Sequence, residues 1–218
     1  VLSVSFGNGL PDERAIAQEF GTIYMPAQPY LHPAIKEIDV AEEIAKDKII
    51  GWFQGRSEIG PRALGNRSLL ADPRDKHMKD ILNLRVKHRE YFRPFAPSVI
   101  SEDADKWFTC PVEMPYMIVN AEVRKPKQLQ AVTHFDGSAR VQTVTKDQNY
   151  RYHQVICNFK KLTGVPVVIN TSFNDNEAIV ETPEDALNTF LRTGIDCLGI
   201  GDYFVEKKKG TQVKIAEL

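Results

Sequence analysis

The segment LTGVPVVINTSFN, residues 162–174, decides the class of fold. Before it, Tyr152, Val155, Ile156, Phe159 and Leu162 recur at steps of three and four, which predicts a helix from about Asn149 to Leu162 that Gly164 closes. After Val165 and Pro166 the pattern becomes Val167, Val168 and Ile169, an unbroken apolar run typical of a strand covered on both faces. A helix returning into such a strand is the unit of an α/β domain. The strand delivers Asn170, Thr171, Ser172 and Asn174, neutral hydrogen-bonding side chains at the sheet edge where open α/β sheets receive ligands. A plain polar turn between strand and helix is the other reading of these residues.

Elements of both kinds alternate on either side of this segment. DVAEEIAKDK (39–48) predicts a helix with Val40, Ala41, Ile44 and Ala45 inward, and KIIGWF (48–53) a short buried strand. RSLLAD (67–72) and FAPSVI (95–100) read as strands, separated by a helix over 72–86 with Met78, Ile81, Leu82 and Leu84 as its stripe. SEDADKWF (101–108) is a short helix capped by Ser101, with acids in its first turn. PYMIVNAEV (115–123) and ARVQTV (139–144) are strands. Thr182, Pro183 and Asp185 open a capped helix in TPEDALNTFLRT, and CLGIG (197–201) and YFVEK (203–207) finish the domain as strands. Lys207 to Lys209 read as a solvated basic face.

Residues 1–36 are irregular, punctuated by Gly7, Gly9, Pro11, Pro26, Pro29 and Pro33, and read as a linker or wrapping arm with a short helix around Asp12–Phe20. The opening without Met is read as a chain that starts inside a longer protein, leaving 37–218 as the folded domain. The 218 residues are 42% hydrophobic and 26% charged, which suits a globular core. No apolar run reaches the roughly 20 residues a membrane helix needs. Cys110, Cys157 and Cys197 are scattered and match no CxxC spacing, which fits inert thiols in a reducing cytoplasm.

The net charge of −1 speaks against a general polyanion binder, yet it hides an asymmetry. Between Gly55 and Pro94 lie seven Arg and three Lys against five Asp and Glu, a surplus of +5 that leaves −6 for the rest. Within that window, GRSEIGPRALGNRS (55–68) carries Arg56, Arg62 and Arg67. Gly60 and Gly65 let the backbone bend, and Pro61 with the following RALG predicts one helical turn whose N–H groups face an anion. A polar hairpin whose arginines meet Glu58 is the plainer reading. RVKHREYFRPFAP (85–97) sets Lys87, Arg89 and Arg93 among aromatic and proline anchors, as phosphate recognition or single-stranded nucleic acid would require. In THFDGSARVQTV (133–144), Asp136 and His134 read as turn-stabilising, and Arg140 as the functional residue. No Walker A, GxSxG, HExxH or paired-cysteine zinc motif is present.

Taken together, GWFQGRSEIGPRALGNRSLLADPR, REYFRPFAPSV, HFDGSARVQTV, TGVPVVINTSFN and TPEDALNTF resemble, in order and over about Lys48 to Lys207, the C-terminal domain of the nodulation- and antibiotic-type O-carbamoyltransferases. The resemblance implies a YrdC-like fold, a twisted open mixed sheet with flanking helices and a basic concave cleft. It implies formation of carbamoyl-adenylate from carbamoyl phosphate and ATP, with Mg²⁺ riding on the phosphates and no metal held by this domain. A separate N-terminal metal-binding domain would then transfer the carbamoyl group to an acceptor hydroxyl. On that resemblance Arg62, Lys87, Arg93 and Arg140 fall to the phosphates. Asn170 and Ser172, with Thr171 and Asn174 beside them, fall to the carbamoyl or adenylate group, and Arg56, Arg67, Arg89 and His134 stand second. An RNA-binding module of the same fold and a catalytically silent docking domain are the alternatives, with nucleic acid disfavoured by the weak net charge and the neutral NTSFN loop.

Overall fold

A computed structural model describes residues 32–33, 36–90, 92–110 and 112–207. Ten strands and five α-helices follow in chain order: β1 (His32–Pro33), α1 (Glu37–Ala45), β2 (Ile50–Phe53), β3 (Arg67–Ala71), α2 (Met78–Leu82), β4 (Ala96–Ile100), α3 (Ala104–Trp107), β5 (Asn120–Glu122), β6 (Ser138–Arg140), β7 (Gln142–Val144), α4 (Tyr150–Thr163), β8 (Val167–Ser172), α5 (Pro183–Arg192), β9 (Cys197–Ile200) and β10 (Tyr203–Glu206). Eight strands form one open mixed sheet in the order β1-β10-β9-β2-β3-β8-β4-β7, and β5 and β6 form a separate antiparallel pair. The β2/β9 and β4/β7 pairs are parallel and the other pairings of the large sheet antiparallel. This is the α/β class that the alternating pattern predicts, with the open mixed sheet and flanking helices that the resemblance implies.

Every residue of β2, β3, β4 and β9 is buried, so the centre of the sheet is covered on both faces. α1 and α4 pack on each other and against β2, β3, β4 and β8, whereas α5 packs on β2 and β9. α4 owes its bounds to local chemistry. Asn149 caps its start by accepting from the Tyr152 N–H at 3.1 Å, and Gly164 ends it in the left-handed region at φ +78°. Thr182 and Asp185 close a reciprocal capping box on α5, as their spacing predicts.

Several expectations are corrected. The helix over 72–86 begins only at Met78 and passes at Asn83–Lys87 into a wider π-helical turn. Leu84 lies 77% exposed and Val86 is buried, because at about 100° per residue Val86 falls in line with Met78 and Leu82 while Leu84 turns away from them. Leu162 likewise lies 47% exposed. Ser101 caps nothing: it sits within a tight 3₁₀ turn (Ser101–Asp103), and its buried hydroxyl has no partner among the described residues. Of PYMIVNAEV only Asn120–Glu122 is strand, with Tyr116, Ile118 and Val119 exposed, and ARVQTV is broken at Val141 into β6 and β7. Lys208 and Lys209 lie outside the described residues, and Lys207 is half-buried and not a freely solvated lysine. Its Nζ donates to the Thr193 carbonyl at 2.5 Å, over the Phe190 ring, and burial pushes its pKa down to about 8. The possible helix at Asp12–Phe20 and most of the arm fall outside the described residues, apart from β1, which adds an edge strand to β10.

Candidate functional site

The topology brings the four sequence motifs to one edge of the sheet. β8 runs antiparallel to both neighbours, so its carboxyl end lies beside the start of β3, where Ser68 faces Ser172, and the start of β4, where Ala96 faces Asn170. The 54–66 loop enters β3 there, the 88–95 segment enters β4 there, and Arg140 ends β6 just before β7 joins β4. Thr171 and Ser172 are the last strand residues of β8, not loop residues as the sequence suggests, so the ladder itself holds them.

The loop does not form the helical turn expected at Pro61. Residues 61–66 are irregular, and Glu58 takes up their backbone donors, accepting from Leu64 N–H at 2.7 Å and Asn66 N–H at 2.8 Å. Carbonyls are tied down from below: Gly65 by Trp52 Nε1 at 2.8 Å, Leu64 by Gln142 Nε2 at 2.8 Å, Ala63 by Asn170 Nδ2 at 3.1 Å. Gly65 is required where it stands, because at φ +113° a Cβ would come within 2.3 Å of the buried Tyr152 ring. Any anion is therefore met by side chains and not by a helix terminus.

The arginines divide by role. Arg67 is 4% exposed and stacks on Phe53 at 3.6 Å, while its guanidinium donates to the carbonyls of Gln54, Asn66 and Gly55. It braces the two ends of the loop. Arg56 stands exposed on the outer side, and Arg93 is exposed and paired with Glu90 at 3.3 Å. Arg62, Arg89 and Arg140 converge on a recess of about 100 Å³ whose other walls include Phe95, Met117, Asn170, Thr171 and Ser172. None of those three forms an ion pair with a described residue, and no carboxylate lines the recess. Burial, and then the neighbouring Arg62 charge, lower the Arg140 pKa, while burial, Arg93 and Arg140 together lower that of Arg89. Arg140 Nε is buried with no partner among the described residues. Like charges gathered without counter-ions, one with an orphaned donor, form a site prepared for an anion.

Lys87 stands next to the recess, not in its wall. The π-helical turn presses its Nζ under the end of β8, where its three N–H donors have four acceptors within reach: the Ser172 carbonyl at 2.5 Å, Asn174 Oδ1 at 2.8 Å, the Asn174 carbonyl at 3.0 Å and Ser172 Oγ at 3.2 Å. All four acceptors are neutral. Burial, with a contribution from Arg89, pushes the Lys87 pKa down to about 7. Asn174 also donates to the Glu177 carbonyl at 2.6 Å, so it serves the turn after β8. His134 meets Ser138 Oγ at 3.2 Å and Asp136 accepts from Ser138, the turn-stabilising arrangement expected of them.

Beside the recess, and sharing Pro61, Arg62, Met117 and Arg140 with it, opens a second compartment of about 460 Å³ lined further by Ile59, Leu64, Tyr116 and Ile118. That volume is in the range of small-molecule sites, whereas the recess holds the equivalent of about three waters. Sequence reading missed this wall. Its one retrospective signal is that Tyr116, Ile118 and Val119 are apolar yet belong to no strand. Met117, between the compartments, is 3% exposed and holds φ +53°, a conformation uncommon for a side-chain-bearing residue. Among the described residues no helix is long and apolar enough to cross a membrane.

Known proteins resemble this chain. Nodulation protein NolNO of Sinorhizobium fredii is 53% identical over 174 residues, covering 77% of this chain and 26% of that protein. The 3'-hydroxymethylcephem-O-carbamoyltransferase of Amycolatopsis lactamdurans is 41% identical over 173 residues, covering 79% and 33%. Full-length HypF, solved in a phosphate- and nucleotide-bound form, aligns with 71% of this chain at 19% identity and a TM-score of 0.48. The chain thus spans about a third or less of the length of these curated relatives. Residues 41–207 match the family described as the carbamoyltransferase C-terminus, and the chain belongs to that family.

Proposed function

We propose that the two compartments form a site that condenses carbamoyl phosphate and ATP into carbamoyl-adenylate. The observation that carries this reading is the cluster of Arg62 and Arg140 at the junction of the two compartments, with Arg89 in the smaller one, free of carboxylates. Two phosphorylated substrates repel each other, and a preorganised cationic junction is what lets them meet. The small recess takes the carbamoyl phosphate. The larger compartment takes the nucleoside, with its phosphates on Arg62 and Arg140 and Mg²⁺ carried on those phosphates as part of the co-substrate.

Chemically, water adds to carbamoyl phosphate and the bond to the phosphate breaks, giving carbamate and inorganic phosphate, which takes both protons of the water. A carbamate oxygen then attacks the α-phosphorus of ATP and expels pyrophosphate. The nucleophile is already an anion, so no side chain has to remove a proton. The protein's share is charge neutralisation by the arginines and orientation by Asn170, Thr171 and Ser172. Lys87 orders the end of β8 from beneath, and when charged it adds to the positive potential that the substrate phosphates meet. Transfer to an acceptor hydroxyl would fall to a metal-binding N-terminal domain of the full-length protein, in a cytoplasmic setting that suits three free thiols.

The test is pyrophosphate release from ATP–Mg²⁺ with and without carbamoyl phosphate. Release is expected only with both present, and to fall by about 100-fold or more in Arg62→Ala, as loss of a charge-stabilising donor does. A chain that binds neither ATP nor carbamoyl phosphate refutes the assignment.

A further inference from the structure

We propose that His153 and Cys157 hold a thiophilic divalent cation such as Zn²⁺, with Glu102 as the positioning residue behind the imidazole. None of the three lines the recess or the larger compartment, so this site is independent of the functional reading above. It gives a metal to a domain for which the resemblance implies none.

His153 and Cys157 stand at positions i and i+4 of α4, which puts both side chains on one face of the helix. His153 is 5% exposed, and its ring is fixed from behind. Its Nε2 lies 3.0 Å and 3.2 Å from the two carboxylate oxygens of Glu102, in the 3₁₀ turn after β4. A carboxylate only accepts, so Nε2 carries the proton. In the neutral ring the lone pair is then on Nδ1, which lies 3.5 Å from Cys157 Sγ. A carboxylate behind the far nitrogen is what orients a metal-ligating imidazole and raises its basicity. The spacing fits as well: with Zn–N near 2.0–2.1 Å and Zn–S near 2.3 Å, a tetrahedral ion sets N and S about 3.6 Å apart.

Gln154 brings its side-chain amide to 3.5 Å from the same Nδ1, and no other hydrogen bond among the described residues fixes which way that amide faces. With its oxygen inward it supplies a third ligand, and water the fourth. Cys157 and Gln154 are half-buried and Glu102 is exposed, so an ion can reach the pair from solvent. Burial, and then the Glu102 charge, raise the Cys157 thiol pKa, while Lys161 and Lys160 lower it. The metal-free site therefore holds a thiol that donates to Nδ1, and the cation enters by displacing that proton to solvent. The bound ion closes a bridge across one turn of α4, the helix whose Tyr152 seats the 54–66 loop. A second cluster of ligating side chains, Glu43, Cys197 and Glu206, already has its cation, because the Lys48 ammonium pairs with both carboxylates.

The experiment is titration of the reduced, metal-free chain with Co²⁺, read by absorption, and with Zn²⁺, read by calorimetry. A thiolate-to-cobalt charge-transfer band is expected that saturates at one Co²⁺ per chain and is removed by Zn²⁺. Cys157→Ser should lose the band and Cys110→Ser keep it. Glu102→Ala, at an exposed position, should weaken Zn²⁺ binding about 10- to 100-fold, the loss that follows when the partner behind a ligating imidazole is removed. Glu102→Gln still accepts from Nε2 and should recover most of that affinity. Zn²⁺ should also raise the thermal unfolding midpoint of the unaltered chain but not that of Cys157→Ser. No band in the unaltered chain, or a band that survives Cys157→Ser, overturns the site whatever the other variants do to folding. Zn²⁺ affinity unchanged in Glu102→Ala overturns the positioning role. Either failure leaves the adenylation reading intact, because pyrophosphate release decides that separately.

Discussion

Replacing Gly65 by alanine puts a methyl group where the ring of Tyr152 already is. The added carbon would stand 2.3 Å from Cδ1, 2.8 Å from Cγ and 2.9 Å from Cε1, against the roughly 3.5–4.0 Å at which carbons rest. Tyr152 is fully buried on α4, under Gly65 itself, and has nowhere to move. Gly60, five residues earlier, has nearly the same backbone angle, φ +119° against +113°, but a Cβ there meets nothing within 4 Å. The pair separates two costs. Both variants pay for an L-residue at positive φ, about 1–2 kcal/mol. Only Gly65→Ala pays for overpacking, about 1–3 kcal/mol more. Urea unfolding followed by circular dichroism should therefore place the midpoint of Gly65→Ala about 1 M below that of Gly60→Ala, for a slope near 2 kcal/mol per M. Equal midpoints would sink the claim that the loop is seated on Tyr152. The functional corollary is that Gly65→Ala, by lifting residues 63–66 off α4, also weakens phosphate binding, which Gly60→Ala spares.

Other outcomes follow from the same contacts. Arg67→Ala strips three carbonyls of their donor and unstacks Phe53, so it should cost about 2–3 kcal/mol of stability; Arg140→Ala relieves like-charge repulsion and should leave stability unchanged or higher while phosphate binding is lost. Lys87 has a folded pKa of about 7 against 10.5 unfolded, so between those pH values the unfolded chain holds the proton the folded chain has released. Stability relative to Lys87→Met should rise across that window and flatten above it, and a falling difference would contradict the burial argument. Because a bound anion favours the charged lysine, carbamoyl phosphate affinity should weaken from pH 7 to 9 in the unaltered chain and much less in Lys87→Met. Asn149→Ala removes the cap of α4 and a donor to Asn66 Oδ1 at 2.9 Å, for about 1 kcal/mol in thermal unfolding.

Much of the large sheet was legible because its signals are local. A continuous apolar run such as Val167–Ile169, a C-terminal glycine such as Gly164 and a capping box such as Thr182–Asp185 act within a few residues. The misread parts depend on what lies across space. The π-helical turn that places Lys87 under β8 has no signature in the local apolar pattern. Tyr116 and Ile118 look like strand residues, yet they line a compartment. Of the site, the motif arginines were readable by charge and spacing, but the separation of Arg67 as a brace from Arg62, Arg89 and Arg140 as recess walls was not. That division depends on which carbonyls Arg67 meets. Gln142 escaped notice because a polar residue in a short strand has no distinctive pattern. Its importance comes from its neighbours, Ser98, Leu64 and Asn170, which are distant in sequence.

The placement of Asn170, Thr171 and Ser172 within β8 also limits how the site can change through evolution. On a loop, these side chains could be re-aimed by inserting or deleting a residue. In β8 they are locked in register against β3 on one side and β4 on the other, and a shift of one residue would turn Asn170 to the opposite face of the sheet. New specificity in this lineage is therefore expected to be written in the surrounding walls, at Ile59 to Leu64 and Tyr116 to Ile118, where length and side chain can vary without re-pairing strands. The polar end of β8 would be the fixed reference around which those walls vary.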